Sequence, residues 1–227
     1  MARLDGIHHI AVMAGDIRRH IEFFSDVLGC RLEALFPMHG VPGGLHAFLH
    51  LNDHCHFSIV QLPGTAEIPI QLGITHAGSG AGRSAPGTLQ HLAFRVADMP
   101  ALLSMRDRIR RRGVNVFGPI DHGLCRSIYF AGPDRLSLEI ATSEAPIDPA
   151  AWIDPEVVAR AGMTMAEAMA FAAPAEDPED GGRVPQPPFD PDKPHQAMPK
   201  ALYAQMLALP DDVLGQMASH AEPPVRR

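Results

Sequence analysis

Two stretches of the chain repeat one pattern and carry a histidine at the same place in it. Residues 9–16 read HIAVMAGD and residues 91–98 read HLAFRVAD. Both alternate as a β-strand does, and both end at an aspartate that can cap a following helix. A duplicated strand–helix unit that keeps its histidine predicts one site to which both copies contribute. The imidazoles of His9 and His91 are therefore candidate metal ligands.

A carboxylate in a later strand completes a set of ligands. Glu139 lies inside the apolar run at residues 136–140, which reads LSLEI. An unpaired charge in such a strand is costly, so this side chain needs a cation. Two histidines and one carboxylate form the facial triad typical of non-haem Fe(II), with open positions for substrate and oxygen. The prediction is a site of His9, His91 and Glu139 that holds Fe(II), with Mn(II), Co(II) or Zn(II) as alternatives.

The elements that must position these residues form two tandem modules. Turn residues and alternating apolar stretches predict βαβββ units at about residues 5–63 and 88–143, joined by a Gly- and Pro-rich linker at 64–87. Each helix is predicted from apolar residues at helical spacing after the capping aspartate. We therefore expect an α+β fold in which one domain, residues 1–143, forms a cleft around the metal.

Residues 144–227 differ in character and form a C-terminal extension. Two helical patches, at 155–171 and 200–220, flank an acidic, proline-rich segment. Pro210 interrupts the second patch and predicts two helices there. An apolar helical stripe must be buried somewhere, so we expect the extension to cover part of the core or of a second subunit.

Composition restricts the partners. The net charge of −7 argues against nucleic acid, which binds basic surfaces. The chain has no apolar run of about 18 or more residues that would predict a membrane span, and the first residues lack the apolar core of a signal peptide. The three cysteines lack metal-type spacing and are expected to be free thiols. These features predict a cytoplasmic protein with neither nucleic acid nor a membrane as its partner.

The motifs of both modules resemble the vicinal oxygen chelate superfamily of glyoxalases, methylmalonyl-CoA epimerases, extradiol dioxygenases and bleomycin-resistance-type binding proteins. GIHHIAV with Asp16, followed by FFSDVLG, carries the resemblance in the first module, and HLAF, SIYF and GPD with Glu139 carry it in the second. The resemblance covers about residues 5–143. It implies that His9 rather than His8 is the ligand, and it implies a homodimer, because such proteins often pair modules between chains.

The resemblance also implies further site residues. Gln61 stands near the fourth metal ligand of the glyoxalases and epimerases, so it is a candidate fourth ligand. Met38 stands where the epimerases carry a catalytic glutamate, which argues against that activity. Tyr129 lies ten residues before Glu139, as a tyrosine does in extradiol dioxygenases, and His122 lies close to an acid–base histidine of those enzymes.

The expected function is an oxidoreductase of the extradiol dioxygenase type that acts on a catechol-like or other enolisable substrate. Tyr129 would hold the intermediate and His122 would transfer protons. The alternative is a lyase or isomerase of the glyoxalase or epimerase type that uses the metal as a Lewis acid. A third class is a bleomycin-resistance-type protein that binds a small ligand without turnover.

Overall fold

Two mixed sheets of identical topology, one for each predicted module, form the framework of the protein. The computed structural model describes residues 4–175 and 184–225. The strands are β1 His9–Met13, β2 Leu32–Pro37, β3 Leu45–Asn52, β4 Cys55–Gln61, β5 Leu92–Arg95, β6 Phe117–Asp121, β7 Arg126–Ala131 and β8 Ser137–Thr142. The sheet orders are β1-β4-β3-β2 and β5-β8-β7-β6. In each sheet the first pair is parallel and the others are antiparallel. The predicted α+β fold of paired βαβββ modules is confirmed.

The helices of the two modules begin at the predicted caps. The α-helices of the described residues are α1 Ile17–Phe23, α2 Met99–Arg111, α3 Pro149–Trp152, α4 Pro155–Arg160, α5 Met165–Ala172, α6 Lys200–Ala208 and α7 Asp211–Ala218. The side chains of Asp16 and Asp98 accept hydrogen bonds from backbone N–H groups in the first turns of α1 and α2. A π-helical turn, Phe24–Leu28, continues α1 and ends at Gly29, whose φ of 83° is the left-handed conformation that glycine favours. Local capping signals therefore set both helices.

Alternation predicts a strand at residues 114–117, and this prediction was wrong. The strand lies later, because the N–H of Val114 bonds to the carbonyl of Ile109 and closes the end of α2. The helical patch predicted over 155–171 consists of two helices, α4 and α5. Gly162, with φ 75°, ends the first, and Thr164 starts the second with a capping box to Glu167.

The chain divides into two compact units after α5. The described residues up to Pro174 form one compact unit that includes α3 to α5, and the described residues from Ala175 onward form another. In the second unit Pro210 immediately precedes α7, which confirms the predicted split into two helices. Part of the acidic, proline-rich segment lies outside the described residues, and the covering role of the extension stays a prediction. No helix in the described ranges has the length and apolar character to cross a membrane.

The two modules share one apolar core. The fully buried ring of Phe24 lies 4.2 Å from the ring of Phe57 and 6.2 Å from that of Phe94, between ring centroids. Arg108 of α2 reaches the first module and donates to the carbonyls of Val27 and Asp26 at 2.8 Å. Because α1 and α2 cover one face of each sheet, the opposite face, here called the open face, is left for the site residues.

Candidate metal centre and active site

The second sheet brings two of the predicted ligands into contact. His91 directly precedes β5, and Glu139 lies in the neighbouring strand β8. Nε2 of His91 is 2.9 Å from Oε2 of Glu139, whose side chain is only 6% exposed. Leu138 and Ile140 on either side of this glutamate point into the core, so strand alternation directs the carboxylate to the open face.

Tyr129 and His122 extend this contact. Tyr129 in β7 is the pairing partner of Glu139 in β8, and its hydroxyl lies 2.9 Å from Nε2 of His122. Burial, and after it the charge of Glu139, raises the pKa of the Tyr129 phenol, so the phenol is a hydrogen-bond donor at neutral pH. The structure thus brings together four residues singled out from the sequence, in the order His91–Glu139–Tyr129–His122. These four are called the second-sheet cluster.

The turn that carries His122 is supported by residues that the sequence did not single out for this role. Arg126 forms ion pairs with Asp121 and Glu144 on either side of the turn. Gly123 has φ 81°, and a Cβ there would lie 2.6 Å from the ring of Trp152, so this ring packs directly on the turn. The sequence does not predict this contact, because nothing in the spacing of Trp152 connects it with the turn.

Gln90 fixes the orientation of the His91 ring and was also missed. Its Oε1 hydrogen-bonds to Nδ1 of His91, while its Nε2 donates to the carbonyls of Ser79, Gly80 and Gly82 at 3.1, 2.8 and 3.1 Å. These three bonds determine which end of the amide faces the imidazole. Nδ1 then carries a proton, and Nε2, which faces Oε2 of Glu139 at 2.9 Å, is the nitrogen that would bind a metal, as is usual for histidine ligands with an outer partner on the other nitrogen. A glutamine before a histidine has no periodic signal in the sequence.

A cavity of about 450 Å³ opens beside His91. Its walls include Ala11 and Met13 from the open face of β1, and His76 from the linker. The linker also approaches the second-sheet cluster, since a Cβ at Gly80 would lie 3.5 Å from the ring of Tyr129. The volume is typical of a site for a small organic molecule.

His9 does not join this cluster within one chain. It lies on the open face of the first sheet, where its ring is 5.4 Å from that of Phe48 and its Nδ1 is 2.9 Å from Nδ1 of His8. Within the described ranges, the ligand atoms of His9, His91 and Glu139 do not form a group within 4.8 Å of one another. Both histidines of the repeat are on open faces.

Gln61 is engaged elsewhere. Its Oε1 accepts a hydrogen bond of 2.7 Å from the backbone N–H of Ile17, at the start of α1. The pairing of β1 with β4 places His56 on the same face as His9, and Gln61, five residues after His56, is on the opposite, helix-covered face. The amide therefore supports the helix start, away from both histidines of the repeat.

A different group of ligand-type side chains lies on the first sheet. The ligand atoms of Glu33, His50 and His56 all lie within 4.8 Å of one another, which no other group of three or more such side chains does in the described part of the chain. The β3–β4 hairpin pairs the two histidines directly. Spacing could have revealed them, because they flank the turn at residues 52–54 symmetrically. This Glu/His/His group is called the first-sheet cluster.

Comparison with known proteins identifies the family and the fold. The sequence profile of the Glyoxalase/Bleomycin resistance protein/Dioxygenase superfamily matches residues 6–140. No curated protein matches the chain. A solved glyoxylase/bleomycin resistance protein/dioxygenase domain from Frankia sp. EAN1pec is 15% identical, with a TM-score of 0.50, over 63% of this chain and 100% of that one. This similarity supports the fold.

Two further solved structures are similar to the chain. The glyoxalase family protein from Enterococcus faecalis is 20% identical over 60% of this chain and 97% of that one, with a TM-score of 0.45. The fosfomycin resistance protein FosX from Listeria monocytogenes is 18% identical over 62% and 95%, with a TM-score of 0.42. From the profile match and the paired βαβββ modules, we conclude that the chain belongs to the Glyoxalase/Bleomycin resistance protein/Dioxygenase superfamily.

Proposed function

We propose that the protein is a metal-dependent oxidoreductase of the extradiol dioxygenase type that acts on a small catechol-like or other vicinal-oxygen substrate. The observation that carries the proposal is the second-sheet cluster. In it the imidazole of His91, the buried carboxylate of Glu139, the phenol of Tyr129 and the imidazole of His122 are spatial neighbours in that order. The side chain of Glu139 is 6% exposed and has the imidazole of His91 beside it. A divalent cation fits this donor set, because it balances the negative charge of the buried Glu139 carboxylate.

Each residue of the cluster has a defined task in this proposal. His91 and Glu139 hold the ion, and Fe(II) there supplies Lewis-acid and redox chemistry toward two neighbouring substrate oxygens. Tyr129, kept protonated by burial and by Glu139, donates a hydrogen bond to a substrate oxygen. His122, 2.9 Å from the Tyr129 hydroxyl, accepts and returns a proton at Nε2. The linker wall of the cavity limits access of water.

The third ligand in this proposal is His9 of the partner subunit. A facial triad requires three protein ligands, and the ligand atoms of the chain's own His9, His91 and Glu139 do not all lie within 4.8 Å of one another. A homodimer that pairs the first module of one copy with the second module of the other would bring the repeated histidines together. This arrangement is the one that the resemblance to the superfamily implies.

Mixed dimers test where the third ligand comes from. His9→Ala and Glu139→Ala should each be inactive alone. If the site forms between chains, refolding equal amounts together leaves one intact site in each mixed dimer, about a quarter of the wild-type number of sites. The matched control mixes His91→Ala with Glu139→Ala, where both changes lie in the second module and no site is restored. Equal inactivity of both mixtures would contradict a site shared between chains.

Oxygen uptake tests the reaction itself. Protein loaded anaerobically with Fe(II) is mixed with a series of catechols, and oxygen consumption is followed together with ring-cleavage absorbance. The proposal expects uptake that depends on both iron and substrate, with Tyr129→Phe and His122→Gln slowing turnover without loss of iron. Turnover of an enolisable substrate without oxygen uptake would indicate a lyase or isomerase instead. Tight binding of a small ligand without turnover would indicate a binding protein.

A further inference from the structure

The first-sheet cluster lies in a row that crosses all four strands of the first sheet. His9 of β1 pairs with His56 of β4, which pairs with His50 of β3. Glu33 is the extra residue of a bulge in β2, because the residues on either side of it, Leu32 and Ala34, pair with consecutive residues of β3. Bulges redirect a side chain relative to the regular strand. The bulge therefore explains how the carboxylate reaches the two histidines.

The ligand atoms of the cluster converge on one point. Nδ1 of His50 is 2.9 Å from Oε1 of Glu33, and Nδ1 of His56 is 3.2 Å from Oε2 of the same carboxylate. Two ligands that each lie about 2.0–2.1 Å from a tetrahedral metal are separated by about 3.3 Å. The two distances from the carboxylate are thus already close to those of a bound site, and the ligand atoms of all three residues lie within 4.8 Å of one another.

Two further features point to a ligand. Nδ1 of His56 is shielded from solvent and makes no hydrogen bond, although Oε2 of Glu33 lies 3.2 Å from it, so its hydrogen-bonding capacity is not satisfied. The side chains of Glu33, His50 and His56 are 33%, 24% and 21% exposed, so an ion can enter from the open side. Two imidazoles and one carboxylate favour first-row transition metals over Mg²⁺ or Ca²⁺, which prefer oxygen ligands.

We propose that Glu33, His50 and His56 form a second metal site, separate from the second-sheet cluster, for a divalent ion of the Zn(II) or Co(II) type. The ion would join β2, β3 and β4 across the bulge. It would keep one position open on the side from which the ion enters, because the strands supply three ligands. The site does not depend on the proposed dioxygenase activity.

Arg31 is the one cation that contacts the carboxylate among the described ion pairs of the cluster. Its Nη2 donates to Oε1 of Glu33 at 3.2 Å, and its side chain is 70% exposed. An exposed pair of this kind contributes little stability, so the metal can displace it. Removal of this positive charge is therefore expected to tighten metal binding, whereas a purely structural cluster would only lose an ion pair.

The experiment titrates metal-free full-length protein with Zn(II) by calorimetry and with Co(II) by visible absorption. The starting protein carries His91→Ala and Glu139→Ala, which remove the second-sheet cluster as a metal site. It should retain one equivalent per chain, with a Co(II) spectrum of nitrogen and oxygen ligands. Adding Glu33→Gln or His50→Ala should weaken binding by at least about tenfold, since even indirect partners of a metal contribute that much. Adding Arg31→Ala should strengthen it.

His54→Ala is the matched control, because His54 is an exposed histidine in the turn of the same hairpin, and it should bind metal like the starting protein. Far-UV circular dichroism checks that each variant folds. No bound metal in the starting protein, or equal affinity after Glu33→Gln, would overturn the second site. If wild-type protein binds a single ion that Glu33→Gln removes and Glu139→Ala does not, the second site stands and the metal site of the proposed dioxygenase fails.

Discussion

At the middle of their open faces, the two sheets carry different residues on the same backbone positions. Ser58 and Glu139 each pair with the alanine two residues after the repeated histidine, and Phe48 and Tyr129 pair with them in turn. The first sheet therefore has a hydroxyl and a phenyl ring where the second has a carboxylate and a phenol. The second-sheet cluster cannot form on the first sheet, although the strand pairing is the same.

One row nearer to the β3–β4 turn, the difference reverses. His50 and His56 of the first sheet stand opposite each other, and the equivalent pair in the second sheet is Ala131 and Ser137. The first sheet thus has two contacts between a carboxylate and an imidazole and the second has one, and the carboxylates lie on different strands, β2 and β8. The repeated topology therefore fixes where side chains can meet, and the identity of the residues decides which chemistry each row supports.

The position before the repeated histidine gives a closer match. In the first module Nδ1 of His8 lies 2.9 Å from Nδ1 of His9, and in the second module Oε1 of Gln90 bonds to Nδ1 of His91. In both modules, the preceding side chain occupies the same ring nitrogen and leaves Nε2 available. This feature is shared by the two copies, whereas the middle rows are not.

The largest expected effect removes the carboxylate that only the second sheet carries. Glu139→Ala should abolish oxygen uptake, because it deletes a metal ligand and leaves the imidazole of His91 without its 2.9 Å partner. Uptake and iron content are measured on the same preparation. Glu22→Gln is the control, since this carboxylate is 61% exposed on α1 and pairs only with Arg18 among the described ion pairs. Full uptake by Glu139→Ala would place the chemistry outside the second sheet.

The shared core should respond to the loss of a single ring. Phe24→Ala should lower the free energy of unfolding by about 3–5 kcal/mol, because the buried ring contacts Phe57 and Phe94 from the two sheets. Urea denaturation should still show one transition, since both modules depend on this ring. Phe117→Ala, at a ring that is 73% exposed, should change stability by no more than about 0.5 kcal/mol. Two separate transitions in Phe24→Ala would show that the modules fold independently.

The positioning role of Gln90 predicts a smaller effect. Gln90→Leu removes the acceptor for Nδ1 of His91 and should weaken metal binding at the second-sheet cluster by about 10- to 100-fold. Affinity is compared by titration, and Gln90→Glu, which keeps an acceptor, should recover part of it. If the two variants bind equally weakly, the effect comes from the lost bonds to the linker and not from the imidazole.

The smallest predicted effect concerns equivalent residues of α1 and α2. His20 and Leu102 are each the fourth residue after the capping aspartate, and both are fully buried. Burial, only partly opposed by the hydrogen bond to the Asp16 carbonyl, lowers the pKa of His20 below its usual 6.5. The unfolded chain therefore takes up the proton first as pH falls. The stability linked to neutral His20 is present above pH 6.5 and is lost as pH falls through the folded-state pKa.

His20→Leu places the residue of the second module in the first and should reduce this loss. Free energies of unfolding are compared at about pH 7.5 and about pH 5.5, where the wild type should lose more stability on acidification than the variant. An equal loss in both proteins would assign the acid sensitivity to other groups.

The sequence by itself determined the framework and half of the candidate site. Capping aspartates, glycine at the helix end and apolar periodicity act over a few residues, so the two βαβββ units were predictable. The pairing of Tyr129 with Glu139 could also be predicted, because a short turn joins their two strands and fixes the register. His91 belongs to the same cluster because it directly precedes β5, the strand that pairs with β8.

Tertiary structure alone decided the rest. Strand β4 is buried on both faces from Phe57 to Val60, so alternation did not show that Gln61 faces the helix. The first-sheet cluster depends on a bulge at Glu33, which shifts the register of one strand and has no periodic signature. The absence of His9 from the second-sheet cluster depends on how the modules pack around Phe24, since a repeated pattern specifies each strand and not the distance between two sheets.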